Sequence, residues 1–173
     1  MKSYFGVGHI RMDTSRGVAI FAETSKQDLI KVVIPHFEKY PLLTQKRADF
    51  ELFKLVIELI SKKEHLTIKG LAKIISIRAS MNLGLSNVLK TAFPDTFLVD
   101  KPKVEVPTSI DPIWLVGFIE GEGCFSVEIL KSKDSKLGIA VVTRFTLVQH
   151  IRDHLLMDKI KKSIELWEIN SRI

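Results

Sequence analysis

Two glutamates stand among glycines at the end of a short apolar stretch, WLVGFIEGEGCF, at residues 114–125. Glycine costs a helix interior about 1 kcal/mol relative to alanine, so glycines four residues apart, Gly117 and Gly121, need an explanation. On one helix face they would allow a second helix to approach almost backbone to backbone. The spacing therefore predicts a helix–helix contact whose end carries the carboxylates of Glu120 and Glu122.

A twin helix packed on these glycines would bring Glu122 close to its counterpart. Converging carboxylates repel each other unless a cation lies between them, and Mg²⁺ suits such oxygen ligands. Carboxylates that hold Mg²⁺ against a scissile phosphate are the pattern of two-metal phosphodiester hydrolysis. The alternative from the residues alone is a buried helix that ends in an ordinary glycine turn with two solvated glutamates.

The composition is that of a globular protein with a mild preference for polyanions. The chain has 173 residues, 46% of them apolar and 27% charged, with a net charge of +6. The single cysteine, Cys124, excludes an internal disulfide framework and a zinc site built on several cysteines. No apolar run approaches the roughly 20 residues that span a bilayer, and the N-terminus lacks the apolar segment of a secretory signal. We expect no membrane partner.

Residues 4–24 predict a strand pair, with a turn at 14–17. Ser25 is a predicted N-cap of a helix that Pro35 disturbs, and PHFEKYPLL is a predicted connection. Within residues 45–63, apolar residues recur at three- and four-residue spacing, which predicts the clearest helix of the chain.

Further helices are predicted after Thr67 and Ser86. The helix after Thr67 is expected to place Leu71, Ile74, Ile75 and Arg78 inside and to stop at Gly84.

In the second half, Asp111 and Pro112 are a predicted N-cap and first helical residue. Alternation then predicts a hairpin with strands at 124–131 and 140–148. A helix follows over about 149–164. Strand, helix and hairpin together indicate an α+β fold.

LVGFIEGEG resembles the LAGLIDADG motif, residue by residue from Leu115 to Gly123. Its flanks, including GEGCFSV, KLGIAVVTRFTLVQHIRD and VIPHFEKYPLLTQKRADFELF, resemble the single-chain LAGLIDADG homing endonucleases of organellar introns, over about residues 4–160. The resemblance implies αββαββα repeats that pack through their motif helices and offer antiparallel sheets to double-stranded DNA. It also implies cleavage of DNA with Mg²⁺ or another divalent cation.

The same resemblance implies roles for particular residues. Glu122 would bind the metal, helped by the backbone carbonyl of Gly121, and Gln149 would position water near it. Lys46 would lie near the active site, although a solvated lysine at a helix start is an equal alternative. The polar faces of the strands would contact DNA, through His9, Arg11, Asp13, Arg16, Cys124, Ser126, Glu128, Ser132, Arg144 and Thr146.

The chain departs from the family pattern because it carries one motif. Residues 1–97 resemble the second half of a first repeat and residues 111–173 the first half of a second, joined by a linker at 98–110. The tail at 161–173 is expected to leave the family pattern. One chain supplies one Glu122, so it is an inactive remnant, a piece of a longer reading frame, or a homodimer paired through Gly117 and Gly121.

In such a homodimer, strands 4–24 and 124–148 could form one permuted four-stranded sheet. An alternative function is an RNA maturase that binds its own intron. The resemblance implies a mitochondrial or chloroplast location.

Overall fold

The computed structural model of the protein describes residues 2–170, and the chain divides into two compact units between Val104 and Glu105. This boundary falls inside the predicted linker at 98–110. Residues 171–173 of the predicted second domain lie outside the described residues. Among residues 2–170 no helix is both long enough and apolar enough to cross a membrane.

The first unit combines one β-hairpin with helices. Its elements are α1 Lys2–Phe5, β1 His9–Asp13, β2 Val18–Ala22, α2 Lys26–Asp28, α3 Ile34–Lys39, α4 Lys46–Ser61, α5 Ile68–Ser80 and α6 Asn87–Ala92. The second unit contains α7 Pro112–Glu122, β3 Gly123–Lys131, β4 Ile139–Leu147 and α8 His154–Asn170. This is the predicted α+β class. The last helix starts later than predicted, since a 3₁₀ turn at Ile151–Asp153 precedes it, and it continues further along the chain.

Each hairpin forms its own antiparallel sheet. His9 pairs with Ala22 and Asp13 with Val18 in the first, while Gly123 pairs with Leu147 and Lys131 with Ile139 in the second. Among the described strands the order is β1-β2 and, separately, β3-β4. The permuted four-stranded sheet of a homodimer stays a prediction. Strands joined by a short turn pair with each other because closing a short loop costs little entropy.

The predicted helix N-caps are confirmed at four positions. The hydroxyl oxygens of Ser25, Thr67 and Ser86 accept hydrogen bonds from backbone N–H groups in the first turns of α2, α5 and α6. The Asp111 carboxylate accepts from the N–H of Ile113, 2.7 Å away, and Pro112 opens α7. Short polar side chains satisfy N–H groups that a helix start leaves unpaired.

Pro35 does not end its helix, so the predicted connection at PHFEKYPLL is partly wrong. Helical structure runs from Lys26 to Lys39, with a π-helical turn at Leu29–Val33 and Pro35 in the first turn of α3. The N–H of Ile34 bonds to the carbonyl of Leu29, five residues back. Such a turn widens the helix just before the residue that lacks an N–H, which explains how the proline is accommodated.

The helix predicted within 45–63 is confirmed as α4, although of its expected stripe only Ile57 is buried and Leu52 is buried beside it. Helix α5 is rotated from the prediction. Leu71 and Arg78 are exposed, and α5 buries Gly70, Ile75, Ser76, Ile77 and Ser80. The helix ends at Ser80, before Gly84, which instead takes a positive φ of 70° in the following turn. The buried apolar side chains are Ala48, Leu52, Ile57, Ile75, Ile77 and Leu85 in the first unit and Ile110, Leu115, Leu156 and Ile160 in the second.

Buried polar groups hold the start of the predicted linker on the first unit. Ser80 Oγ accepts from the N–H of Val99 and donates to its carbonyl, both at 2.9 Å. Asp49, 6% exposed, accepts at Oδ1 from the N–H of Asn82 and from Nζ of Lys101, each at 3.2 Å. The segment around 99–101 is thus part of the first unit and not a free tether.

Replacing Asp49 should destabilise the first unit. Asp49→Ala removes both hydrogen bonds and leaves the Asn82 N–H without its partner, which costs about 1–3 kcal/mol. Urea unfolding followed by circular dichroism measures the loss. Glu58→Ala, at an exposed position of the same helix, should stay within about 0.5 kcal/mol. Equal effects of the two substitutions would show that the buried carboxylate does not anchor this segment.

Candidate active site and nucleic-acid interface

Helix α7 carries apolar side chains on nearly all sides, yet only the side that carries Leu115 is buried. Leu115 is 3% exposed and anchors the helix, and the rings of Trp114 and Phe118 stack at 4.7 Å. An open stripe runs along the helix at three- and four-residue spacing and consists of Ile113, Val116, Gly117, Glu120 and Gly121. A surface of this kind is suited to packing against another helix.

The two glycines of this stripe face open space. A Cβ placed at Gly117 or at Gly121 would meet no described atom within 4 Å beyond its own helix. Nothing in the chain's own described fold therefore requires glycine at these positions. The predicted helix–helix contact remains a prediction, and the space that it needs is present.

Gly123 is required for a different reason. Its N–H bonds to the carbonyl of Ile119 and closes α7, and β3 begins at the same residue without a loop. A Cβ at Gly123 would lie 2.6 Å from the Ile119 carbonyl oxygen, closer than a side chain can approach. This glycine allows the strand to leave the helix directly, and it thereby fixes Glu122 at the junction.

The structure brings Glu122 and Gln149 to the same end of the second hairpin. Glu122 directly precedes Gly123, whose strand partner Leu147 lies two residues before Gln149. Both side chains are half-buried. No hydrogen bond or ion pair reaches the Glu122 carboxylate from the described residues, and it stands at a helix C-terminus, where negative charge costs about 0.3–1 kcal/mol. A cation beside this carboxylate would offset that cost.

Part of a ligand set for a hard cation is present at this junction. The last turn of α7 closes on Ile119, so the carbonyl of Gly121 lies beyond the final helical hydrogen bond and is available beside the Glu122 carboxylate. Carboxylate and carbonyl oxygens are the donors that Mg²⁺ and Ca²⁺ take. Among residues 2–170 no group of three His, Cys, Asp or Glu side chains could hold a metal ion. A complete site for such a cation would need further ligands.

Lys46 belongs to the first unit, where it opens α4. Its side chain is exposed, and its N–H donates to Thr44 Oγ1 at 3.4 Å. Lys46 and the next residue, Arg47, put two cations at a helix N-terminus, which the helix macrodipole disfavours. Local helix stability therefore does not account for this lysine.

The second hairpin has one apolar and one polar face. The register places Phe125, Val127 and Ile129 opposite Phe145, Thr143 and Val141 on the apolar face. On the other face lie the predicted contacts Cys124, Ser126 and Glu128, with Thr146 and Arg144 across from the first two. Ser132 follows the end of β3 and donates its N–H to the carbonyl of Gly138. The predicted alternation of the two faces is confirmed, but the expectation that Val141 and Phe145 point inward is wrong for the described fold, since they are 64% and 44% exposed.

In the first hairpin, His9, Arg11 and Asp13 also share a face, and the first two are exposed. Asp13 is engaged by its own turn. Its carboxylate accepts from Ser15 Oγ at 2.6 Å and from Arg16 Nε at 2.8 Å. The Ser15 hydroxyl and then the Arg16 guanidinium hold the pKa of Asp13 below the ordinary aspartate value. Asp13 thus organises the turn, and Arg16 is held beside it.

Two lysines that were not among the predicted contacts lie in the loop at the end of the second hairpin. Lys133 and Lys136 are exposed in the loop between β3 and β4. The feature of the sequence that could have indicated them is the positive charge of the predicted hairpin loop. Loop lysines of this kind commonly contact phosphates.

Comparison with known proteins decides the family. The LAGLIDADG endonuclease family model matches residues 1–57 and 115–173, which include the motif from Leu115 to Gly123, both hairpins and most of α4. The chain belongs to the LAGLIDADG endonuclease family. The second match continues to residue 173, so the expectation that residues 161–173 leave the family pattern is wrong.

Curated relatives of this LAGLIDADG chain are proteins of fungal introns. It is 44% identical over 156 residues to a probable intron-encoded endonuclease 3 of Neurospora crassa, covering 90% of this chain and 29% of that protein. It is 40% identical over 67 residues to an uncharacterized 50.9 kDa protein in ND4 intron 1 of Podospora anserina, covering 39% of this chain and 14% of that protein.

Solved LAGLIDADG structures share the fold. The meganuclease I-CpaMI bound to uncleaved DNA is 40% identical with a TM-score of 0.86, covering 95% of this chain and 56% of that one. The meganuclease I-SmaMI bound to uncleaved DNA in the presence of calcium ions is 39% identical with a TM-score of 0.81, covering 92% of this chain and 54% of that one. The chain therefore spans about half the length of these structures.

Substitutions at Gly117 and at Gly123 should change the stability of the chain in opposite directions. Gly117→Leu fills open space and should stabilise the isolated chain by about 0.5–1 kcal/mol through helix propensity. It should also abolish any activity that needs a second helix on that face. Gly123→Ala should destabilise by about 1–3 kcal/mol because its Cβ meets the Ile119 carbonyl. Thermal unfolding measures both, and a destabilised Gly117→Leu would show that this face is already occupied.

The Asp13 turn should depend on pH in the acidic range. Folding lowers the pKa of Asp13. Its contribution to the free energy of unfolding is therefore complete above the pKa of the unfolded chain and is lost as pH falls through the pKa of the folded chain. A ¹³C NMR titration of the carboxyl should give a midpoint below that of ordinary aspartate. Ser15→Ala should raise this pKa, whereas Thr14→Ala should not. A midpoint at the ordinary value would contradict the hydrogen-bonded turn.

Proposed function

We propose that the protein acts in site-specific, divalent-metal-dependent cleavage of double-stranded DNA. The observation that carries this proposal is the unpaired, half-buried Glu122 at the end of α7. Beside it are an available carbonyl and an open glycine face. The polar face of the adjoining hairpin supports DNA as the substrate, as do relatives whose structures contain DNA. One family member was solved with calcium ions present, which is consistent with an oxygen-ligand metal site.

In this proposal Glu122 and the Gly121 carbonyl hold the metal, and Mg²⁺ is the expected ion. A bound divalent cation supplies charge stabilisation to the phosphate undergoing attack and lowers the pKa of bound water. Gln149, at the same end of the hairpin, would orient a water by hydrogen bonding through its amide. Lys46, which the resemblance places near an active site, stays a prediction, and the unfavourable place of its charge at a helix N-terminus supports a functional role.

The site needs a second acidic residue, because the described chain lacks a complete ligand set. We infer that a second motif helix packs on Gly117 and Gly121 and contributes this second acidic residue. That helix belongs either to another copy of this chain or to another part of a longer protein. The two separate family matches, with residues 58–114 unmatched between them, support the interpretation of residues 1–97 and 111–173 as halves of successive repeats.

DNA would lie along the polar faces of the hairpins. Side chains at alternate strand positions reach base edges in the major groove, while turn cations contact phosphates. The base-edge set comprises His9, Arg11, Asp13, Cys124, Ser126, Glu128, Ser132, Arg144 and Thr146. Arg16, with Lys133 and Lys136 added from the structure, would contact the backbone. The net charge of +6 favours this association.

Mitochondrial localisation is part of the proposal, supported by the relative in an ND4 intron. The RNA maturase alternative has no separate support in the described residues. It predicts a different outcome, because splicing of the host intron would respond to the protein without any need for Glu122.

Substitution of the two motif glutamates tests the proposal. Incubation with a library of duplex DNA and Mg²⁺, followed by sequencing of cut ends, should reveal one preferred cleavage site. Glu122→Gln should abolish cleavage and leave DNA retention intact, since it removes a metal ligand and keeps the shape of the side chain. Glu120→Gln is the matched control, because Glu120 is an exposed carboxylate two residues away and should retain cleavage.

Unchanged cleavage by Glu122→Gln would refute the assignment of the metal ligand. Metal-independent cutting would refute the proposed chemistry. If the protein promotes splicing equally well with Glu122→Gln and cuts no DNA, the maturase alternative replaces the proposal.

A further inference from the structure

Glu128 places a negative charge on a surface that would meet DNA. The polar face of β3 and β4 otherwise carries neutral side chains and Arg144. A carboxylate that approaches a polyanion is repelled unless a cation accompanies it or a hydrogen-bond donor meets it. The structure supplies the cation, since Oε1 of Glu128 lies 2.8 Å from Nη1 of Arg144.

This ion pair crosses the hairpin diagonally. Arg144 is opposite Ser126, and Glu128 is opposite Val142, so the two charged side chains lie on one face and in neighbouring rows. Their side chains remain 50% and 35% exposed. Exposed pairs of this kind add little to folding stability. The effect of the contact is instead to hold the guanidinium in one direction above the sheet.

The contact engages one end of the guanidinium. Nη1 faces Glu128, and Nε and Nη2 donate no hydrogen bond to any described residue. An arginine with such a free edge matches the O6 and N7 acceptors of guanine, and the remaining carboxylate oxygen can accept from N4 of cytosine. In the major groove a G·C pair presents two acceptors followed by one donor. The pair of side chains presents two donors followed by one acceptor.

We propose that Arg144 and Glu128 form one base-reading unit that selects a G·C pair in a fixed orientation. Arg144 binds the guanine, and Glu128 both holds the arginine and rejects bases that place an acceptor in front of it. This inference rests on the proposed function, because it requires DNA on the polar face of the second hairpin.

Selection from randomised duplex DNA by the full chain tests the unit. Bound duplexes are sequenced for the wild type, Glu128→Gln, Arg144→Lys and a control, Lys133→Gln. The wild type should enrich G·C at one position. Arg144→Lys should reduce that enrichment by about tenfold or more, since lysine lacks the planar fork. Lys133→Gln should weaken retention of all sequences alike and leave the base profile unchanged.

Glu128→Gln gives the decisive readout, because its two effects should have opposite signs. Enrichment of G·C at the same position should fall, while retention of bulk duplex DNA should rise with the loss of one negative charge. A merely structural ion pair would leave the base profile unchanged and would show only the general rise in retention that follows the loss of a negative charge. Thermal unfolding of each variant verifies that the hairpin is intact.

An unaltered base profile for Glu128→Gln would overturn the inference, as would effects of the two substitutions at different positions. If the wild type binds duplex DNA but the substitutions do not change the base profile as expected, only the base-reading unit is refuted. If the wild type retains no duplex DNA, the proposed function and this inference fall together.

Discussion

The contact between Gly123 and the Ile119 carbonyl determines the geometry of the candidate site. Helix α7 closes on this carbonyl, and β3 begins at the glycine, so helix and hairpin meet without a flexible connection. A side chain at this position would force them apart. Because the junction is direct, Glu122 is held at a defined place between an apolar helix and a polar strand face. Gln149 is brought to the same place by the pairing of Gly123 with Leu147.

Around this junction the chain carries features that reduce its own stability. Two glycines weaken α7 without an internal packing reason, and two glutamates stand at its unfavourable end. Large apolar side chains of β3 also remain exposed, with Phe125 at 80%. Local costs without local compensation are typical of functional surfaces. A second motif helix packed on the glycines and a divalent cation beside the glutamates would offset these two costs together.

Much of this arrangement follows from the sequence, because it depends on local chemistry. Ser25, Thr67, Ser86 and Asp111 are short polar residues before helical patterns, and alternation sets the two faces of each hairpin. The missed features depend on tertiary packing. Pro35 lies inside a helical run because a π turn precedes it, and α5 buries Ser76 and Ser80 because Ser80 bonds to Val99, nineteen residues away. The steric need for Gly123 likewise depends on where Ile119 lies, and no periodicity contains that information.

Paramagnetic NMR with Mn²⁺ as the probe tests the central claim most directly. The account predicts that Mn²⁺ broadens signals of Gly121, Glu122 and Gln149 first, and more strongly under conditions in which a second motif helix is present. High protein concentration would provide that helix if copies pair. Mg²⁺ should reverse the broadening by competition. Broadening spread over other surface carboxylates, with Glu122 unaffected, would contradict a metal centre at the end of α7.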